Sequence, residues 1–515
     1  MTIPALVPAV CQLTPHEGHF QLTAAATIAA HGPGVRAVAD LLAEYLRPAT
    51  GFPLPVGEQP DAAIQLTADA ACDDECAPES YRLTVSPTGI RLAAPCATGL
   101  ARAIQTLRQL LPPAILAATR QPGPWPVPAL DLADQPRFHW RGMHLDIARH
   151  FFTVDQVCRF IDLLALHRFN RLHLHLTDDQ GWRVEIKRYP RLAEIASKRP
   201  ATLIGHDSAR PRRYDPTPYG GCYCQDDVRR LVAYAARRHI VVVPEIDLPG
   251  HMQAAIAAYP ELGNLPMTPQ PRSLWGISQH ILNVEPGTVT FMQNVYAELL
   301  ELFPSRFIHV GGDEAVKHEW TESPAAQARM AALGCHDEHE LQSWFIRQMS
   351  DFLTARGRRL LGWDEILEGG LAAGATVMSW RGEQGGIAAA LAGHDVVMAP
   401  CQHVYFDHYQ AEPKEEEPLA IGGLTTTAHV YAWEPIPAAL PADRHHHVLG
   451  GQGQLWTEYI GSLDYLDYMA FPRACALAEV LWLPREQKRY RDFLTRLPTH
   501  RQRLTVLGVN AHPLP

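Results

Sequence analysis

WRGMHLDIARHFFTVDQVCRFIDLLALHRFNRLHLHLT, Trp140 to Thr177, holds two short apolar runs with a longer helical pattern between them. Within it, Thr153 stands where a helix N-cap is expected, and Val154, Val157, Phe160, Ile161 and Leu164 recur on one helix face. A short run, a helix and a second short run predict two parallel strands joined by a crossover.

The same alternation continues to the end of the chain. Eight runs qualify as strands: WRGMHLDI, RLHLHLT, IVVVPEID, FIHVGG, RLLGWDEI, TVMSW, DVVMAP and LGGQGQLW. Eight parallel strands with helical crossovers predict a (β/α)8 barrel of the TIM type. Each run finishes in polar or aromatic residues: Asp146 and Arg149, Asp178, Asp247 and His251, Asp313 and Glu314, Trp363 and Asp364, Trp380, Tyr405 and Asp407, Trp456 and Glu458. In a barrel these ends meet on one face, where active sites of that fold lie.

Residues before the barrel mix short alternating segments with two helical ones, VRAVADLLAEYL and GLARAIQTLRQLL, and read as a small α+β domain. The proline-rich stretch QPGPWPVPAL, Gln121 to Leu130, reads as a connector. The expected division is therefore 1–133 for the α+β domain and 134–515 for the barrel with a C-terminal helix.

A chain of 515 residues with 47% hydrophobic and 19% charged residues has the composition of an ordinary globular enzyme. Its formal charge of -10, with no basic run, argues against a nucleic-acid surface and suits a neutral substrate. Ten cysteines are too sparse for a disulfide scaffold, and no stretch approaches a membrane span or a leader with a basic start. The cytoplasm is the expected compartment, with export not excluded, and no membrane partner is expected.

The fourth run ends FIHVGGDE, with Gly311 and Gly312 before the adjacent acids Asp313 and Glu314. Glycines there allow close approach of backbone or ligand. In an extended segment the two acids would point to opposite sides and so would not share one proton. Two carboxylates flanking one acetal bond, one an acid and one an anion, are what glycoside hydrolysis requires.

FIHVGGDE resembles the catalytic strand of the β-N-acetylhexosaminidases, glycoside hydrolase family 20, with the pattern His-x-Gly-Gly-Asp-Glu. WRGMHLDIARHFF, NRLHLHLTDDQGWRVEIKRYP, PEIDLPGH, LGWDEI, MSW, YFDHY and LWTE resemble that family's motifs in the same order. The resemblance implies exo-acting, retaining removal of terminal β-linked GlcNAc, or GalNAc, in which the substrate's own 2-acetamido oxygen is the nucleophile. It implies no cofactor and no metal, and a sugar or oligosaccharide bearing terminal N-acetylhexosamine as the partner.

Residue by residue, it implies that Glu314 is the general acid and base and that Asp313 holds the acetamido N-H and stabilises the oxazolinium intermediate. Tyr405 would bond the acetamido carbonyl oxygen, and Asp178 with His251 would tune Glu314. Trp363, Trp380 and Trp456 look like aromatic walls around the acetamido methyl, and Arg149, Asp407 and Glu458 like clamps on the sugar hydroxyls. His309 is expected to support the strand.

Where relatives usually carry Gly-Gly-Phe-Tyr-Thr-Gln, this chain has GGCYCQ; Cys222 and Cys224 lack zinc-site spacing and are expected to pack. Two other readings compete. A metal hydrolase would draw ligands from His173, His175 and His445 to His447, although a strand alone leaves the first two short of a full ligand set. A non-catalytic glycan-binding barrel would not need an acid beside a cation stabiliser.

Overall fold

The structure, a computed structural model, describes residues 4–72 and 77–514, so Cys76 lies outside the described residues. The N-terminal domain is a seven-stranded sheet in the order Gln12–Gln21, Pro126–Asp134, Tyr81–Ser86, Gly89–Ala94, Ile64–Ala68, Ile28–His31 and Val56–Gly57. Helices Val35–Thr50 and Ala97–Leu110 pack on it. In the first, Val35, Val38, Leu42, Ala43 and Leu46 are buried at helical spacing, and the helix stops at Gly51, whose φ of 68° closes a left-handed cap.

The proline-rich stretch is not simply a connector. Its second half is the strand Pro126–Asp134, paired with Gln12–Gln21 on one side and Tyr81–Ser86 on the other. Pro126 is the first residue of the strand, and Pro128 lies beside a register break in its neighbour between Pro15 and His19, the two settings in which a strand tolerates a residue without N–H.

Eight parallel strands then close a barrel: Trp140–Asp146, Arg171–His175, Val241–Glu245, Phe307–His309, Arg359–Trp363, Thr376–Ser379, Val396–Met398 and Val448–Gly453. Each lies within or overlaps one of the eight apolar runs. The first crossover is helix Val154–Leu166, capped as expected: Thr153 Oγ1 accepts the Gln156 N–H, and Gln156 Oε1 accepts the Thr153 N–H. All five residues of its apolar stripe are buried.

The two units share a charged seam. Glu79 of the N-terminal domain accepts from Arg102 of its own domain and from Arg141 on the first barrel strand, and Arg168 pairs with Asp134 at 2.6 Å. Helix Tyr490–Val506 closes the chain, with Arg503 donating to the Gln109 carbonyl across the same seam. Among the described residues no helix is long and apolar enough to cross a membrane.

Candidate active site

At the C-terminal ends of the barrel strands lies a cavity of about 410 Å³. Of the eleven residues singled out from the sequence, ten line it: Arg149, His251, Asp313, Glu314, Trp363, Trp380, Tyr405, Asp407, Trp456 and Glu458. Asp178 does not. It is buried one layer below and bonds three groups there, at 2.9 Å to an Arg149 terminal nitrogen, 3.0 Å to His175 Nε2 and 3.2 Å to His251 Nδ1.

The adjacent acids owe their positions to the backbone rather than to strand alternation. The strand ends at His309, and Gly311, Gly312 and Glu314 all have positive φ, 66°, 102° and 48°. A left-handed conformation at a glutamate is uncommon and costs energy that the surrounding packing must supply. The turn swings both acids to one imidazole: His251 Nε2 is 3.5 Å from Asp313 Oδ2 and 3.4 Å from Glu314 Oε2. The expectation of opposite sides therefore fails, because the pair is not extended.

The two glycines serve a contact within the protein. A Cβ on Gly311 would stand 1.6 Å from Asp247 Oδ1, and one on Gly312 would stand 2.6 Å from Ile366 Cγ2. Asp247 Oδ1 also accepts the Gly312 N–H at 3.0 Å. Only glycine lets the two strand ends approach this closely.

His251 is the shared cation. Burial opposes its charge, but Asp178 and Asp313 outweigh burial and hold its pKa well above the usual histidine value. Asp313, with only 8% of its surface exposed, is likewise opposed by burial, yet His251 and its hydrogen bonds keep it below the usual carboxylate value. Glu314 keeps a third of its side chain exposed to the cavity.

On the walls, Trp363 and Trp456 lie 5.8 Å apart between centroids, and Trp380 stacks against Tyr405 at 6.1 Å. Two indole N–H groups are pinned, Trp363 to Glu245 Oε1 at 2.9 Å and Trp380 to Glu365 Oε2 at 3.0 Å. Burial, then Asp407, raises the Tyr405 pKa well above 10, so its hydroxyl remains a donor. Arg149 donates to Asp146, Gln180 and Asp178, faces Glu458 at 3.8 Å and lies 5.1 Å over the Trp456 ring. Burial, then Glu458, pushes Asp407 well above the usual carboxylate range, and its Oδ1 has no partner among the described residues.

The cavity thus offers apolar ring faces, a hydroxyl donor, carboxyl groups for hydroxyls and two acids beside one cation. Comparison with known proteins gives the arrangement its lineage. The family model "Glycosyl hydrolase family 20, catalytic domain" matches residues 138–485, and "Glycosyl hydrolase family 20, domain 2" matches residues 3–135. The chain belongs to glycoside hydrolase family 20.

A β-hexosaminidase of Porphyromonas gingivalis is 43% identical over 99% of this chain, which spans 64% of that relative's length. A Streptomyces plicatus N-acetyl-β-hexosaminidase in complex with Thio-NAglucal superposes with a TM-score of 0.86 at 33% identity, covering 99% of this chain and 97% of the other. A Vibrio harveyi exo-β-N-acetylglucosaminidase in complex with N-acetylglucosamine gives 0.84 at 32% identity, covering 99% and 78%.

The departure of this family 20 chain at GGCYCQ has a local structural role. Cys224 is exposed and caps helix Gln225–Ala236, its sulfur accepting the Asp227 N–H in place of a hydroxyl, so it does not pack as expected. Cys222 is half-buried, and burial pushes its thiol up to about 12.

Sequence reasoning passed over the acids beneath the walls, Glu245 and Glu365, and the rim residues Ile277, His408 and Ile421. The acids sat inside quoted motifs, PEIDLPGH and LGWDEI, whereas nothing in the rim loops marks them. The two histidine groups of the metal reading stay apart. His173 and His175 lie against Glu245 within the barrel, while His445 and His447 bond the Leu440 carbonyl and Asp395.

Proposed function

We propose that this chain is an exo-acting, retaining β-N-acetylhexosaminidase that removes terminal β-linked GlcNAc by substrate-assisted catalysis, with GalNAc as a second sugar. The observation that carries this reading is the convergence of Asp313 and Glu314 on His251 at the floor of a pocket walled by three tryptophans and Tyr405. The β-hexosaminidase names of the relatives and the N-acetylglucosamine held by the Vibrio harveyi enzyme support it.

In this mechanism the Tyr405 hydroxyl donates to the acetamido carbonyl and aims its oxygen at C1, while Asp313 accepts the acetamido N–H. Glu314 gives its proton to the glycosidic oxygen as the C1–O bond breaks and the acetamido oxygen bonds C1. The oxazolinium cation that results is stabilised by the buried Asp313 carboxylate. Glu314, now a carboxylate, takes a proton from water, whose oxygen attacks C1 from the side the leaving group vacated as the C1–O bond to the acetamido oxygen breaks and the acetamido group is regenerated. Two inversions give net retention without a covalent bond to the protein.

The three indole faces suit the acetamido methyl and the apolar face of the ring, and Arg149, Asp407 and Glu458 suit its hydroxyls through directional hydrogen bonds. The test is release of nitrophenol from nitrophenyl N-acetyl-β-glucosaminide and from nitrophenyl β-glucoside. Turnover confined to the first is expected. Comparable turnover of both would remove the acetamido group from the mechanism, and release from neither would refute the activity.

A further inference from the structure

Asp247 lies directly behind Asp313 and is fully buried. Its Oδ1 accepts the Gly312 N–H, and the glycine at 311 exists only because that oxygen occupies the place of a Cβ. This leaves Asp247 Oδ2 and, across from it, Asp313 Oδ1. Both are buried atoms with no partner among the described residues, and carboxylate oxygens of the two acids lie within 4.8 Å of each other. A carboxylate has only acceptors, so two of them bond only when one holds a proton.

The surroundings decide which acid holds it. Asp313 has the His251 imidazolium on its other oxygen and opens to the cavity. Asp247 is turned away from the cavity towards Glu245, a carboxylate held ionised by histidines, and towards the neutral phenol of Tyr296. His251 also reaches it, but the carboxylates that pair with His251 are Asp178 and Asp313.

We propose that Asp247 is a positioning residue that works as a neutral acid: its Oδ2–H donates to Asp313 Oδ1, fixing that carboxylate and leaving the opposite oxygen for the sugar's acetamido N–H. The direction of titration agrees. Burial, then Asp313, pushes Asp247 well above the usual carboxylate range, while the bond from Asp247 is one of the influences holding Asp313 low. A protonated acid supplies a donor without adding a second negative charge, which would otherwise repel Asp313 in a buried site.

The proposal rests on the hydrolytic reading above, and the experiment separates the two. Asn reproduces a neutral acid: its carbonyl can accept the Gly312 N–H and its amide can donate to Asp313. Asp247→Asn is therefore expected to keep kcat within about fivefold of the parent, whereas Asp247→Ala strands a buried acceptor and should lower kcat by roughly 10- to 100-fold with a smaller change in KM. Asn failing as badly as Ala, with the parent active, would show that an ionised Asp247 is needed and would overturn the proposal. A parent inactive on the N-acetyl substrate would instead overturn the hydrolytic reading.

Because Ala at a buried site can unfold the chain, an infrared difference spectrum between the parent and Asp247→Asn gives a second readout. Loss of a protonated-carboxyl band in the variant is expected. A difference showing only carboxylate bands would overturn the neutral assignment whatever the kinetics.

Discussion

The floor of the pocket and the layer of side chains beneath it are built on opposite plans. On the floor, the acids stand at 3.4 and 3.5 Å from a single imidazole nitrogen, and a buried oxygen of Asp407 has acceptor capacity to spare. Beneath, Glu245 is enclosed: Trp363 Nε1 and His175 Nδ1 hydrogen-bond it at 2.9 and 2.5 Å, and His309 Nδ1 and His173 Nε2 lie 2.9 and 3.0 Å from the same fully buried carboxylate. His175 passes the connection on to Asp178, which holds Arg149 and His251. The upper layer keeps bonds free for a ligand, and the lower one uses Glu245 to hold Trp363 and His175 in place.

The sharpest way to test this division is to take one group from the floor and leave the layer below intact. Glu314→Gln should lower kcat on glycosides with poor leaving groups by roughly 10²- to 10⁴-fold, and by much less on activated aryl glycosides that depart without protonation. Asp313→Asn, which weakens charge stabilisation, should lower rates on both classes alike. Thermal unfolding of both variants should stay near the parent. Equal losses on all substrates for Glu314→Gln, measured with a leaving-group series, would contradict its acid role.

The contrast also explains what was legible in the sequence. The barrel could be read because strand and helix periods alternate eight times, and the floor because its residues sit at strand ends inside recognisable motifs. The lower layer could not. His173, His175, His309 and Glu245 lie on three different strands, and which imidazole meets which oxygen depends on barrel closure between residues about 60 to 140 positions apart. The geometry of Asp313 and Glu314 was misread for a related reason. Nothing in a glutamate signals a φ of 48°. Proline misled at Pro126–Asp134, where a register break in the neighbouring strand accommodates it.

Breaking the lower layer should act first on stability. Glu245→Gln removes the anion that holds the His175 cation and is expected to cost about 3 to 5 kcal/mol in denaturant unfolding, because a buried charge loses its partner. A change near zero would mean the histidines carry no charge that needs Glu245.

The pH dependence of stability sharpens the same point. Burial opposes charge on His175, but Glu245 and Asp178 outweigh it and raise it to about 10; its contribution is complete below the unfolded value near 6.5 and is lost as pH rises towards 10. Burial lowers His173 and His167 to about 4, so the unfolded chain takes up protons between pH 6.5 and 4 that the folded chain does not. Stability should therefore peak near pH 6.5 and fall on either side, by about 1.4 kcal/mol per unit for each histidine concerned. Chemical unfolding between pH 4 and 10 measures the curve, and a plateau across that span would contradict the assignment.

The smallest effect is expected where the two layers meet. Burial, then Asp313, pushes Glu365 up to about 8, so at neutral pH it is largely protonated while its Oε2 accepts the Trp380 indole N–H at 3.0 Å. Glutamine keeps the acceptor and the neutral charge, so Glu365→Gln should leave kcat and KM within about threefold of the parent at pH 7, in line with exchange of near-isosteric neutral groups. The difference should appear above pH 8. There the parent gains a negative charge near Asp313 and the variant does not, so their pH–rate profiles should part company on the alkaline side. Profiles that coincide throughout would mean that Glu365 only anchors the tryptophan and that its charge never reaches the catalytic pair.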